Sequence, residues 1–145
     1  MKTLANCTPR EFMKQTNRIR ISAEKWLTAT KILEIRKRMP DLPAPTTSKD
    51  KVEIQKAMDE RREAFAKQTR ENLFAMLEAM FDTNADETLE LLALCCFVEP
   101  EDVDKHTMSE YLANIGELMA DAGVLSFFDS LVKLGVSSMA SVATQ

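Results

Sequence analysis

The sequence predicts an all-α fold: a five- to six-helix bundle with one long central helix and a proline-rich elbow after the first two helices. Three observations carry that prediction. Apolar residues recur at three- and four-residue spacing along most of the 145 residues, and no segment shows the every-other-residue alternation of a half-buried strand. Residues suited to capping a helix N-terminus, Thr8, Ser22, Asn84 and Thr107, each stand just before such a periodic stretch. Only 3 glycines occur, Gly116, Gly123 and Gly135, so most of the chain lacks the residue that usually punctuates tight turns.

Thr8 before Pro9 opens a first helix over residues 9–17, because proline is favoured at the first helical position. Ser22 is placed to cap a second helix over 22–39, with Ala23, Trp26, Leu27, Thr30 and Leu33 on its inward side. Arg36, Lys37 and Arg38 fall in the last turn of that helix, where cations complement the carbonyl end of the dipole, and Pro40 stops it. Residues 40–48, PDLPAPTTS, hold 3 of the 5 prolines and read as an extended elbow. Thr47 or Ser48 then caps a long helix to about Phe81, ~50 Å at 1.5 Å per residue. Its apolar stripe is Ile54, Met58, Phe65, Leu73, Met76, Leu77 and Met80. Arg61 and Arg62 lie near the sparse early part, so the first half is expected to protrude and the second to pack.

Asn84 with Glu87 signals a helix over 85–98, surrounded by Leu89, Leu91, Leu92, Leu94, Cys95, Cys96, Phe97 and Val98, and hence the central buried one. Cys95 and Cys96 read as small core residues, since neighbours on a helix diverge and a bridge between them is strained. The acidic connector around Pro100 lacks the glycine and the terminal bidentate glutamate of a calcium loop, and reads as a solvated turn. Thr107 and Glu110 form a capping box for a helix carrying Met108, Tyr111, Leu112, Ile115, Leu118 and Met119, which Gly123 is placed to end in a left-handed cap. A last helix presents Val124, Phe127, Phe128 and Leu131, ends at Gly135, and leaves a flexible tail over 136–145.

The domain organisation follows from the elbow and from charge. Residues 1–39 form a basic N-terminal helical arm, 40–48 the linker, 49–135 an acidic helical body and 136–145 the tail. The formal net charge of -4 conceals an asymmetry: residues 1–70 carry 17 Lys and Arg against 9 Asp and Glu, whereas 71–145 carry 2 against 14. Two surfaces of opposite sign favour pairing within the chain or between copies, a possible homo-oligomer. An acidic half in so small a protein repels phosphate within a Debye length of ~8–10 Å, which disfavours nucleic acid.

Composition excludes most chemistry. Neither glycine-rich phosphate loop can be written with these glycines, and one histidine, His106, with 3 cysteines lacking C-x-x-C spacing offers no metal or haem set. Asp104, His106 and Ser109 are the right types for acyl transfer but sit in a local polar cap without a nucleophile elbow. The expectation is a protein without enzymatic activity or cofactor. The odd number of thiols points to a reducing compartment, and no leader or apolar run long enough for a bilayer is present, so a cytoplasmic location with no membrane partner is expected.

What remains is binding of other proteins. Nine methionines supply adaptable apolar surface, and the last two helices bring two apolar faces close together. The stretch LELLALCCFVEPEDVDKHTMSEYLANIGELMADAGVLSFFDSLVKLG, the basic opening REFMKQTNRIR and the helix ending EIRKRMP resemble small all-helical tail-assembly chaperones of tailed phages and prophages. That resemblance implies an ATP-independent chaperone in the bacterial host cytoplasm, binding helical segments of a tape-measure protein and recruiting tail-tube subunits. On it, Leu118, Leu125, Phe127, Phe128 and Leu131 cradle the client, while Arg18, Arg20, Arg36, Lys37 and Arg38 of the arm contact another copy or a tail subunit. The alternative is a small phage-encoded nucleic-acid-binding or regulatory protein that uses the basic N-terminal helices, with Trp26 as a stacking residue.

Overall fold

The computed structural model describes the backbone of all residues except Pro43, Thr46, Ser48, Thr144 and Gln145, and the side chains of all but these and residues 136–143. The chain is all-α, with no strand among the described residues. Among the described residues six α-helices follow in order: α1 (Pro9–Thr30), α2 (Ile32–Arg36), α3 (Lys51–Glu78), α4 (Ala85–Cys95), α5 (Met108–Ala120) and α6 (Ala122–Ala143). A π-helical turn, Ala79–Thr83, extends α3, and a 3₁₀ segment, Pro100–Lys105, precedes α5.

Two of the expected caps form as local chemistry dictates. Glu11 N–H donates to Thr8 Oγ1 and Thr8 N–H to Glu11 Oε1, both at 3.2 Å, a reciprocal box at the start of α1. Thr107 and Glu110 form the same box at the start of α5, at 2.7 and 3.3 Å. The long helix opens instead on Asp50, whose carboxylate accepts the Val52 N–H at 3.1 Å. Of the residues expected in that role, Ser48 lies outside the described residues and Thr47 precedes the cap.

Several boundaries differ from those the sequence suggests. The first expected helix is continuous with the first part of the second: α1 runs unbroken through Ser22, because residues 17–22, NRIRIS, contain neither glycine nor proline, and Ser22 is buried on the helix rather than capping it. The expected 22–39 helix is instead divided at Lys31, with only Ile32–Arg36 following as α2. Lys31 ends α1 with φ 53°, its N–H donating to Leu27 O at 3.0 Å. Gly123 ends nothing. Asp121 breaks the chain between α5 and α6, and its carboxylate accepts the Val124 N–H at 2.9 Å, an N-cap for α6. α6 then continues through Gly135 to Ala143 instead of stopping, since a single glycine inside a helix costs only about 1 kcal/mol.

The described chain divides into two compact units that do not follow the proline elbow: residues 1–23 with 89–145, and residues 24–88. In the first unit the core is Ala93, Cys96, Val98 and Tyr111, with Leu92, Val103 and Ile115 packed against it. Phe97 turns the chain out of α4 with φ 57°, and the bonds Val98 N–H to Ala93 O and Phe97 N–H to Leu94 O complete a Schellman motif. The turn returns Val98 to the core beneath the helix it has just left. Tyr111 donates its hydroxyl to Val103 O at 2.7 Å, fastening α5 to the 3₁₀ segment.

In the second unit Ile35 of α2 and Asn72 of α3 are buried, and the Asn72 amide donates to Arg38 O at 3.1 Å. Side chains reinforce the π turn: the Ala79 carbonyl accepts both the backbone N–H and the side-chain amide of Asn84 at 3.0 Å, and Thr88 donates to Met80 O at 2.7 Å. Trp26 donates its indole N–H to Thr88 Oγ1 at 2.9 Å, so its polar edge is engaged inside the unit.

Candidate functional site

The five apolar residues expected to meet a partner are partly brought together. Leu125, Phe127, Phe128 and Leu131 share α6, while Leu118 lies half-buried on α5. Val124 and Phe128 are the half-buried side of α6; Leu125, Phe127, Leu131, Val132 and Leu134 remain 42% to 65% exposed. At 100° per residue these positions span about half the helix circumference. One line of contact anchors this wide face and its flanks stay open.

The anchor comes from a residue that helical periodicity does not single out. Phe12 of α1 lies edge-on to Phe127 with centroids 5.6 Å apart and stacks on Phe128 at 6.3 Å, while Phe127 and Phe128 meet at 5.4 Å. Offset and edge-to-face pairs of this kind favour one arrangement of the rings beyond simple burial. Phe12 follows directly on the Thr8 to Glu11 cap, but no local spacing says that its partners lie more than a hundred residues away.

The basic residues are divided between the units. Arg18 is held: its guanidinium donates to both oxygens of Glu99 at 3.0 and 2.7 Å and to Gln15 at 3.4 Å. The hydrogen bonds from Arg18 hold the Glu99 carboxyl below its ordinary range and raise the guanidinium in turn. Arg20, exposed on the same helix, donates to Asn17 Oδ1 at 3.0 Å. Arg36, Lys37 and Arg38 are exposed at and just beyond the end of α2 in the other unit. The N-terminal segment is therefore folded onto the C-terminal part of its own chain. Further bonds hold it there, from Gln15 Nε2 to Leu94 O at 2.6 Å and from Asn114 Nδ2 to Lys2 O at 3.1 Å.

Burial pushes the Cys95 thiol up to about 11 and raises Cys96 and Cys7 as well, which keeps them protonated and weakly nucleophilic. His106 lies 3.5 Å from Glu110, a capping residue, and edge-on to Tyr111. Among the described residues no group of three or more His, Cys, Asp or Glu could hold a metal ion. No helix of the described residues is long and apolar enough to cross a membrane. No known protein family, curated protein or solved structure matches the chain.

A second apolar face lies on α3, displaced from the stripe that the sequence suggests. Met76 and Met80 of that stripe are half-buried with Ala75 and Ala79, whereas Leu73 and Leu77 point outward beside Phe74 and Phe81. Ahead of Ala75 the inward side of this helix is made of small and polar residues, Ala64, Gln68 and Asn72, so the apolar stripe overlaps only one edge of the face that packs.

Proposed function

We propose that the protein is a non-enzymatic, ATP-independent binding protein that holds amphipathic helical segments of a larger client, in the manner of the phage tail-assembly chaperones its sequence resembles. The observation that carries this reading is the face of α6, where, among the described side chains, Leu125, Leu131, Val132 and Leu134 stay exposed beside a partly exposed Phe127 held by Phe12, while Val124 and Phe128 turn inward. Soluble monomers rarely leave such a contiguous apolar surface without a use for it. Side chains at positions i, i+4 and i+7 form ridges that accept the apolar face of a second helix. The client implied by the resemblance is a tape-measure protein, with tail-tube subunits as later partners. No nucleotide enters the scheme: the client leaves when its own assembly covers the same apolar face.

The test is co-expression with the product of the nearest very long downstream reading frame. The reading expects more soluble client and recovery of both chains together, with both lost in a Leu131→Asp, Leu134→Asp double variant whose helical content is unchanged. No gain in client solubility and no co-purification with the unaltered protein would refute it.

A further inference from the structure

From the C-terminal half of α3 and the π turn that extends it we infer that a second copy of this chain docks there, the two helices antiparallel. Leu73, Phe74, Leu77 and Phe81 are 38% to 66% exposed and lie opposite the small and polar side on which Gln68 and Asn72 turn inward. With Arg70 they follow the spacing i, i+3, i+4, i+7 and i+11, a strip of ~18 Å along the helix. Four such side chains at these exposures present on the order of 400 Å² per copy, below the ~800 Å² of a standard interface, so the pairing is a weak and reversible one.

Charge selects both the occupant and its direction. The strip has Arg70 at its N-terminal end, where Lys67 is paired with Glu71 at 4.0 Å, and the carboxylates Glu78 and Asp82 at its C-terminal end, all of them exposed. A second copy laid antiparallel about a point between Phe74 and Leu77 sets Phe74 against the partner's Leu77. The same placement brings Arg70 within about a turn of the Asp82 of the partner subunit, twice over by symmetry. Parallel pairing sets like charges side by side. The antiparallel arrangement also opposes the two helix dipoles favourably. A strip with a basic end and an acidic end is thus complementary to itself, and rim charges of this kind fix register and orientation more than affinity. The pairing concerns α3 alone and stands whether or not α6 holds a client.

The experiment is light scattering and sedimentation equilibrium on the purified full-length chain between roughly 5 and 500 μM. The unaltered protein is expected to form dimers within that range, and Phe74→Glu with Leu77→Glu to raise the dissociation constant at least ~30-fold without loss of helical circular dichroism. Met13→Glu, a change at a more exposed apolar position on α1, is expected to leave it unchanged. Arg70→Glu should weaken pairing several-fold and Arg70→Glu with Glu78→Lys and Asp82→Lys should restore it. A monomer at the top of the concentration range, a dimer indifferent to the α3 changes, equal loss with Met13→Glu, or no recovery in the charge-swapped variant would overturn the assignment. So would a monomeric chain that uses the same strip to capture a different protein.

Discussion

Arg18 and Glu99, 81 positions apart, meet through two hydrogen bonds of 3.0 and 2.7 Å. The pair joins the basic start of the chain to its acidic second half, so part of the charge asymmetry is consumed inside the first unit. Both side chains keep substantial solvent contact, so the pair orients more than it stabilises. Arg18→Met is expected to lower the thermal midpoint by no more than about 3 °C at low salt, and the deficit should shrink in ~1 M NaCl. Arg18→Lys should recover only part of it, because an ammonium cannot make the paired contact. Thermal melts at two salt concentrations test this, and a deficit that grows with salt would count against an ionic role.

Backbone conformation gives a pair of opposite substitutions. Lys31 is exposed with φ 53°, a region where a Cβ is strained, so Lys31→Gly should stabilise the protein by about 0.5–1 kcal/mol and Lys31→Val should destabilise it. Gly116 sits inside α5 with nothing within 4 Å of the place a Cβ would take, so Gly116→Ala should also stabilise by about 0.5–1 kcal/mol. Urea denaturation of the three variants reads both effects. Destabilisation by Lys31→Gly would show that the left-handed turn is not retained in solution.

Tyr111 is 2% exposed and its hydroxyl is bonded to Val103 O. Tyr111→Phe removes one hydrogen bond and leaves that carbonyl without its donor, a loss of about 1–2 kcal/mol. Tyr111→Ala also empties the centre of the core in the first unit and should cost about 3–5 kcal/mol. Denaturant midpoints at constant slope give both values, and equal effects of the two variants would mean that ring packing contributes nothing.

Acid should loosen the N-terminal segment. The Lys2 ammonium, with the Thr8 cap, holds the Glu11 carboxyl at about 2, and Arg18 and the Thr107 N–H lower Glu99 and Glu110. Each is depressed in the folded protein, so its contribution is present above the unfolded value of about 4.3 and is lost as pH falls toward the folded one. The thermal midpoint should therefore fall between about pH 5 and pH 2.5. Glu11→Gln should flatten that fall, and a midpoint that rises with acid would contradict the sign.

The thiols should be slow. With Cys95 near 11, its thiolate is about a thousandth of the population at pH 8, and Cys96 is buried. Native-state labelling with a disulfide reagent is expected to be at least ~100-fold slower at these two positions than in urea. Fast release of all three thiols from folded protein would show that α4 opens readily.

What could be read directly from the sequence was local. The Thr8 and Thr107 capping boxes depend on residues three apart, and the all-α class on spacings of three and four, so neighbours along the chain suffice to specify them. Helix ends without glycine were not legible: Lys31 and Phe97 take left-handed backbone for which no residue type argues, and Asp121 acts where Gly123 stood ready. Tertiary structure decided which faces meet. Phe12 finds Phe127 and Phe128, and Trp26 finds Thr88, across separations that no helical period encodes. It also decided that α3 turns Gln68 and Asn72 inward and leaves Leu73, Phe74, Leu77 and Phe81 outside. Periodicity shows that a helix has an apolar side. Only packing determines whether the chain covers that side itself or leaves it for another molecule.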